Sequence, residues 1–92
     1  MAADIRFLFE VLSQVESPTE LAQLLDDWLT PRELEELELR IDIARRLYLG
    51  QTYESIQQET GASSTTISRV RRCLLHGAGG YRTVLGRVLP AK

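Results

Sequence analysis

The sequence predicts an all-α protein of about six helices in a single small domain, and three observations support this. The chain has 92 residues, which is room for one small domain. Its apolar residues recur at the three- and four-residue spacing of helices, with no convincing alternation of the kind found in strands. Capping residues, prolines and glycines divide it into segments of helix length. With 43% hydrophobic and 26% charged residues, the composition is that of a globular chain.

The first 30 residues predict two helices. In the first, over about residues 4–15, apolar residues recur at helical spacing and polar residues take the other side. The second begins after Ser17, where a capping serine precedes Pro18 and Glu20 in the order of a capping box. This second helix carries Trp28, which we expect to be a core residue.

The third helix, predicted over about Pro31–Leu49, is apolar on two faces. Its two stripes lie about 160–180° apart at the angular step of an α-helix. They consist of Leu34, Leu37, Ile41, Ala44 and Tyr48, and of Leu39, Ile43 and Leu47. A helix with two apolar faces must be covered on both, and so small a chain has limited surface to do this alone. We therefore expect a homodimer in which residues 4–49 form the dimerisation helices.

Residues 52–76 have the pattern of a helix-turn-helix. A helix of about eight residues capped by Thr52 is followed by Gly61, which supplies the positive φ that a tight turn needs. A second helix, from about Ser64, begins with small polar residues, as in the DNA-binding two-helix unit. A last helix is expected over residues 80–89, after a glycine-rich break.

The outward face of that second helix carries hydroxyl groups and arginines. Short hydroxyl residues allow the backbone to approach base edges, and arginines can reach guanine acceptors or phosphates. On a helical wheel of this helix, the apolar residues Ile67, Val70 and Leu74 fall on the inward side. The residues of the two-helix unit that we predict to bind DNA are Tyr53, Ser63, Ser64, Thr65, Thr66, Ser68, Arg69, Arg71 and Arg72.

The distribution of charge is uneven along the chain. Residues 1–60 hold all 13 acids and five arginines, a net charge of −8, and residues 61–92 hold six basic residues and no acid, which together give the −2 of the whole chain. A basic, acid-free third suggests an end that faces a polyanion such as double-stranded DNA. A solvated basic tail is the alternative interpretation.

Two departures from the usual helix-turn-helix pattern leave a second function possible. Gln57 stands where a small residue usually lets the two helices touch, and Thr60 stands where a large apolar residue usually precedes the turn glycine. The alternative is a helical dimeric adaptor whose basic C-terminal third binds an acidic protein. Such an adaptor would favour exposed aromatic or leucine anchors, and near the polar face only Leu75 is large and apolar.

The composition argues against several other classes of protein. A single cysteine, Cys73, excludes an internal disulfide and a multi-cysteine zinc site, and we expect it to be a small packing residue. No acid, base and nucleophile converge, so we expect no enzyme, no cofactor and no metal. No stretch approaches the roughly 18 apolar residues of a membrane span, and the N-terminus is a poor secretory signal. We therefore expect a cytoplasmic protein that does not associate with a membrane.

Three runs of residues carry a resemblance to a known family. They are Leu29-Thr30-Pro31, Thr66-Ile67-Ser68-Arg69 and Gly77-Ala78-Gly79-Gly80-Tyr81-Arg82. Through them the chain resembles the trp repressor family, and in particular its YerC/YecD group, over about residues 20–88. The resemblance implies an intertwined homodimer that represses transcription through one helix-turn-helix per subunit. It also implies that Ser64, Thr65 and Ser68 face the bases and that Thr52 contacts a phosphate.

The trp repressor also binds tryptophan as a corepressor beside its reading helix. The matching positions here include Arg40, Arg69, Val70 and Cys73, and the two arginines of the pocket are retained. Val70 and Cys73 replace a glycine and a serine, and a valine side chain would fill space that the indole needs. The resemblance therefore implies a vestigial pocket without tryptophan, and it leaves open whether another small-molecule effector binds.

Overall fold

The computed structural model describes residues 3–90, and this part of the chain is all-α with no strand. Its helices are α1 (Ile5–Ser13), α2 (Pro18–Trp28), α3 (Pro31–Tyr48), α4 (Tyr53–Thr60), α5 (Ser64–His76) and α6 (Gly80–Val88). The predicted fold class and number of helices are therefore confirmed. None of the helices between residues 3 and 90 combines the length and the apolar character needed to cross a membrane.

Side-chain caps explain where α2 and α3 begin. Ser17 Oγ accepts a hydrogen bond from the backbone N–H of Glu20 at 3.1 Å, and the Glu20 carboxylate accepts one from the N–H of Glu16 at 2.9 Å. At α3 the box is reciprocal, because Thr30 and Glu33 each accept from the other's N–H, at 3.2 and 2.9 Å. These bonds satisfy donors that a helix N-terminus leaves unpaired.

The chain divides into two compact units, of which the first ends at Leu34. It contains α1, α2 and the first turn of α3, and no residue of α1 or α2 is buried. The apolar stripes of the two helices line an open groove that includes Phe7, Leu12, Leu24 and Trp28. The prediction that Trp28 is a core residue is wrong for the single chain, because this residue is 48% exposed. Two short helices alone do not enclose a side chain of this size.

The second unit, from Glu35 onward, holds the buried core of the described residues. That core consists of Ile43, Ala44, Ile56, Ala62, Ile67, Val70, Leu74 and Leu85. Ile43, Ile56 and Ile67 are fully buried and come from α3, α4 and α5 in turn. Burying one such side chain contributes about 1.5–3 kcal/mol to folding, so these three residues hold the three helices together.

The two apolar stripes of α3 are divided differently from the prediction. Ile43 and Ala44, which belong to opposite predicted stripes, are both fully buried in the core. Leu37 and Ile41 are 43% and 47% exposed. The chain thus covers both stripes near the C-terminal end of α3 and leaves one of them open further back along the helix.

The corner between α5 and α6 depends on Gly77. Its N–H donates to the carbonyl oxygen of Cys73 at 2.9 Å, and a Cβ at this position would overlap that same oxygen. Arg82 Nε donates to the carbonyl oxygen of Leu74 at 2.9 Å, which satisfies one of the acceptors left over at the end of α5. One of the basic residues after position 60 therefore has a structural role.

Replacing Gly77 with alanine should destabilise the protein by about 1–3 kcal/mol, because the end of α5 must shift to admit the methyl group. Urea unfolding measures this change. Gly80→Ala is the matched control, since a Cβ there meets no neighbouring atom within 4 Å and alanine favours helices. A Gly77→Ala protein as stable as the wild type would contradict the close approach.

Candidate nucleic-acid interface

α4 and α5 form the two helices of the unit predicted at residues 52–76. Gly61 ends α4 at φ +74°, a left-handed conformation that residues with a side chain rarely adopt. Its N–H donates to the carbonyl oxygen of Gln57 at 2.9 Å. A Cβ there would meet nothing within 4 Å, so the turn requires glycine for its conformation and not for space. Ile56 and Ile67, both fully buried, hold the two helices together.

The two departures from the usual helix-turn-helix pattern have a structural explanation. The side chain of Gln57 is exposed, so it does not separate the helices. Thr60 Oγ1 donates to the carbonyl oxygen of Ile56 at 2.6 Å and accepts from the N–H of Ala62 at 3.1 Å. The hydroxyl group therefore pairs two backbone groups at the turn, and the buried Ala62 belongs to the core.

Four of the residues predicted to bind DNA lie around the beginnings of the two helices. Ser63 caps α5, since its Oγ accepts from the N–H of Thr66 at 3.2 Å and lies 3.0 Å from the Thr66 hydroxyl group. Thr52 caps α4 by accepting from the N–H of Ser55 at 3.2 Å. Tyr53 is half-buried against the core. The caps at Thr52 and Ser63 therefore fix where α4 and α5 start.

The other predicted residues lie on the exposed side of α5. Ser64, Thr65, Ser68, Arg69 and Arg72 are all exposed, and together they line one shallow polar depression. Arg71 is also exposed and lies outside that lining set. The opposite side of the helix carries the buried Ile67, Val70 and Leu74. We call the five residues of the depression the α5 polar face.

The arginines of α5 are available to an external anion. Arg69, Arg71 and Arg72 are exposed, and the ion pairs found between residues 3 and 90 are made by Arg6, Arg45 and Arg46 instead. α5 itself contains no acidic residue. A guanidinium group without a carboxylate partner presents five N–H donors in a fixed planar arrangement, which matches phosphates and the acceptor edge of guanine.

The positions that match the corepressor pocket face different surroundings. Val70 is 4% exposed and belongs to the core, Arg69 lines the α5 polar face, and Arg40 is exposed on α3. Cys73 is exposed as well and lines a groove with the glycine-rich segment between α5 and α6. The prediction that Cys73 is a packing residue is wrong, because its neighbour Leu74 takes the buried position.

The described residues show no group of three or more histidine, cysteine or acidic side chains that could hold a metal ion. What they do show is a helix-turn-helix whose second helix is buried on one side and polar on the other, in a chain that has four further helices. This arrangement defines the class of helix-turn-helix proteins. A family model described as Trp repressor protein matches residues 3–89. The chain therefore belongs to the Trp repressor family, whose members are regulators and not enzymes, and the predicted resemblance is confirmed.

Individual relatives agree with this membership. The chain is 42% identical to the uncharacterised protein YerC of Bacillus subtilis (strain 168) over 81 residues, which covers 88% of this chain and 78% of YerC. It is similar to the crystal structure of a Staphylococcus aureus protein assigned as a Trp repressor, with a TM-score of 0.86, 38% identity and coverage of 96% and 88%. A TrpR-like protein from Eubacterium eligens ATCC 27750 gives a TM-score of 0.87 at 34% identity, with coverage of 96% and 92%.

Proposed function

We propose that this protein is a sequence-specific, DNA-binding transcription regulator, acting as a repressor, that inserts α5 into the major groove of double-stranded DNA as a homodimer. The observation that carries this proposal is the α5 polar face, which combines exposed hydroxyl groups with arginines that no carboxylate of the described chain pairs. An α-helix fits the width of the major groove of B-form DNA. Membership of the Trp repressor family supports the proposal independently.

The residues of the unit divide by the part of the DNA that each would meet. Ser64, Thr65 and Ser68 are short and lie toward the N-terminal half of α5, where a recognition helix contacts base edges. Arg69 and Arg72 have the length and the fork geometry to bind guanine or a phosphate. Thr52, Tyr53, Ser63, Thr66 and Arg71 complete the proposed interface at the helix N-termini and beside the face, where phosphate contacts set the register.

Exposed apolar surface supports a homodimer. In the first unit the groove between α1 and α2 includes Phe7 and Trp28, which are 65% and 48% exposed. In the second unit Ile41, Val84 and Val88 border a groove between α3 and α6. Soluble monomers rarely leave contiguous apolar patches of this kind uncovered. We propose that residues 4–49, together with the α6 residues that line this groove, meet the same surfaces of a second copy. We also propose that each chain is one domain and that the homodimer acts in the cytoplasm.

Selection of bound sequences from a random pool of duplexes tests this function. We expect enrichment of a two-fold-symmetric sequence whose half-sites lie about 34–36 Å apart, because the two α5 helices of a dimer enter successive major grooves on one side of the duplex. Sedimentation of the same preparation should give two chains per particle. Failure to enrich any sequence would favour the adaptor that binds an acidic protein, and a stable monomer at low micromolar concentration would rule out the homodimer.

Arg72→Ala should weaken binding to the enriched duplex by about tenfold and lower the slope of log affinity against log salt by roughly 0.9 in magnitude, because one arginine no longer meets the DNA. Titrations at several salt concentrations measure both quantities. Arg87→Ala is the matched control, because it removes the same charge from an exposed position of α6 that does not line the groove between α3 and α6. An unchanged affinity and slope in Arg72→Ala would remove this residue from the interface.

We also propose that tryptophan is not the corepressor of this protein. Val70, in place of the pocket's glycine, is part of the buried core, so a ring could enter beside it only by displacing core side chains. Calorimetric titration with tryptophan should therefore show no saturable heat, whether or not the DNA duplex enriched in the selection experiment is present. Stoichiometric uptake of tryptophan would overturn this proposal, and the existence of a different effector would not.

A further inference from the structure

The end of α3 carries a network of ion pairs that is separate from the α5 polar face. Arg46 lies two residues before the end of α3, and its side chain is 21% exposed. Its Nε donates to Asp42 Oδ2 at 2.9 Å, and its Nη1 donates to Gln51 Oε1 at 3.4 Å. The same nitrogen pairs with the carboxylate of Glu59 in the last turn of α4. One guanidinium group therefore joins α3, the loop that follows it and α4.

Glu59 lies next to the turn that sets the direction of α5. It immediately precedes Thr60 and Gly61, whose hydrogen bonds form the turn into α5. The isoleucine core also holds α4 near α3 and decides which side of each helix faces inward, but the hydrophobic effect favours no particular angle between the helices. A planar guanidinium group with fixed N–H directions is directional. Its contact with Glu59 therefore restricts how α4 can rotate on α3.

Asp42 holds the guanidinium group of Arg46 in place from one helical turn earlier. Partial burial acts to raise the pKa of Asp42, but hydrogen bonds from Arg46 and Arg45, with the charges of both arginines, outweigh it and hold the pKa below its ordinary value of 3.8. Asp42 is therefore ionised at neutral pH. Arg45 pairs with Asp42 and, among the described residues, with no carboxylate of α4, and its side chain is 53% exposed.

We propose that Arg46 is a positioning residue for DNA binding, which acts through Glu59 to set the orientation of the helix-turn-helix on α3. This inference rests on the proposed function, because the orientation of α4 affects binding only if α5 enters a groove. Specific binding needs both α5 helices of a dimer to enter their half-sites in register. Non-specific binding depends on phosphate charge and tolerates changes in orientation.

Glu59→Gln is the most informative variant, because it removes a negative charge from the DNA-binding unit. Charge alone would tighten binding to DNA. Loss of the Arg46 contact should instead weaken binding to the selected duplex by about fivefold, the size of one coupled interaction, while binding to an unrelated duplex is unchanged or tighter. Arg46→Gln should also lower the ratio of specific to non-specific affinity, and the double variant should lower it no further than the larger single effect.

Glu54→Gln is the matched control, since it removes the same negative charge from an exposed position in the first turn of α4 and leaves the contact of Arg46 with Glu59 intact. Its ratio of specific to non-specific affinity should equal that of the wild type. Amide hydrogen exchange gives a readout that does not involve DNA. The N–H groups of α4 and of Gly61 should exchange faster in Glu59→Gln and Arg46→Gln than in the wild type.

Two results would overturn the positioning role while the proposed function stands. One is an unchanged affinity ratio in Glu59→Gln and Arg46→Gln, with urea unfolding that shows both variants to be folded. The other is unchanged hydrogen exchange in both variants. If the wild type itself enriches no duplex sequence, the proposed function fails, and the role of Arg46 in DNA binding fails with it.

Discussion

The burial of three isoleucines is the constraint on which the rest of the second unit depends. Ile43, Ile56 and Ile67 meet in one cluster and are removed from water completely. Because each comes from a different helix, their contact decides which side of α5 faces inward. The side of α5 that carries Ser64 and Arg72 is exposed for the same reason. A change in this cluster would therefore alter the α5 polar face without touching any of its residues.

The arginines of the chain have different roles although their charges are the same. Arg82 satisfies a carbonyl oxygen at the end of α5, and Arg46 links α3 to α4. Arg69 and Arg72 make no ion pair with any carboxylate between residues 3 and 90 and are exposed. A count of basic residues predicts affinity for a polyanion, whereas the pairing of each guanidinium group shows which of them remain available to bind one. This distinction narrows the proposed interface from the basic third of the chain to one helix.

The first unit presents the opposite situation, with apolar stripes and no buried residue on α1 or α2. Phe7 and Trp28 are large aromatic side chains, and they contribute to stability only when another surface covers them and removes them from water. Two helices of nine and eleven residues have too little surface to provide that cover. The apolar grooves of both units therefore support the proposed homodimer.

The sequence by itself determined the six helices and where they begin, because capping and helical periodicity act between residues no more than about four positions apart. The end of α1 was predicted near Val15, and the structure places it at Ser13. Thr30, Thr52 and Gly61 could each be interpreted from their immediate neighbours, and so could the outward side of α5. Burial was decided by the tertiary structure, since it depends on segments that are distant in sequence. Trp28 and Cys73 proved exposed, and Ile43 and Ala44 proved to share one core. The pairing of Arg46 with Glu59, 13 positions away, could not be predicted from local pattern because only the folded arrangement of α3 and α4 brings the two charges together.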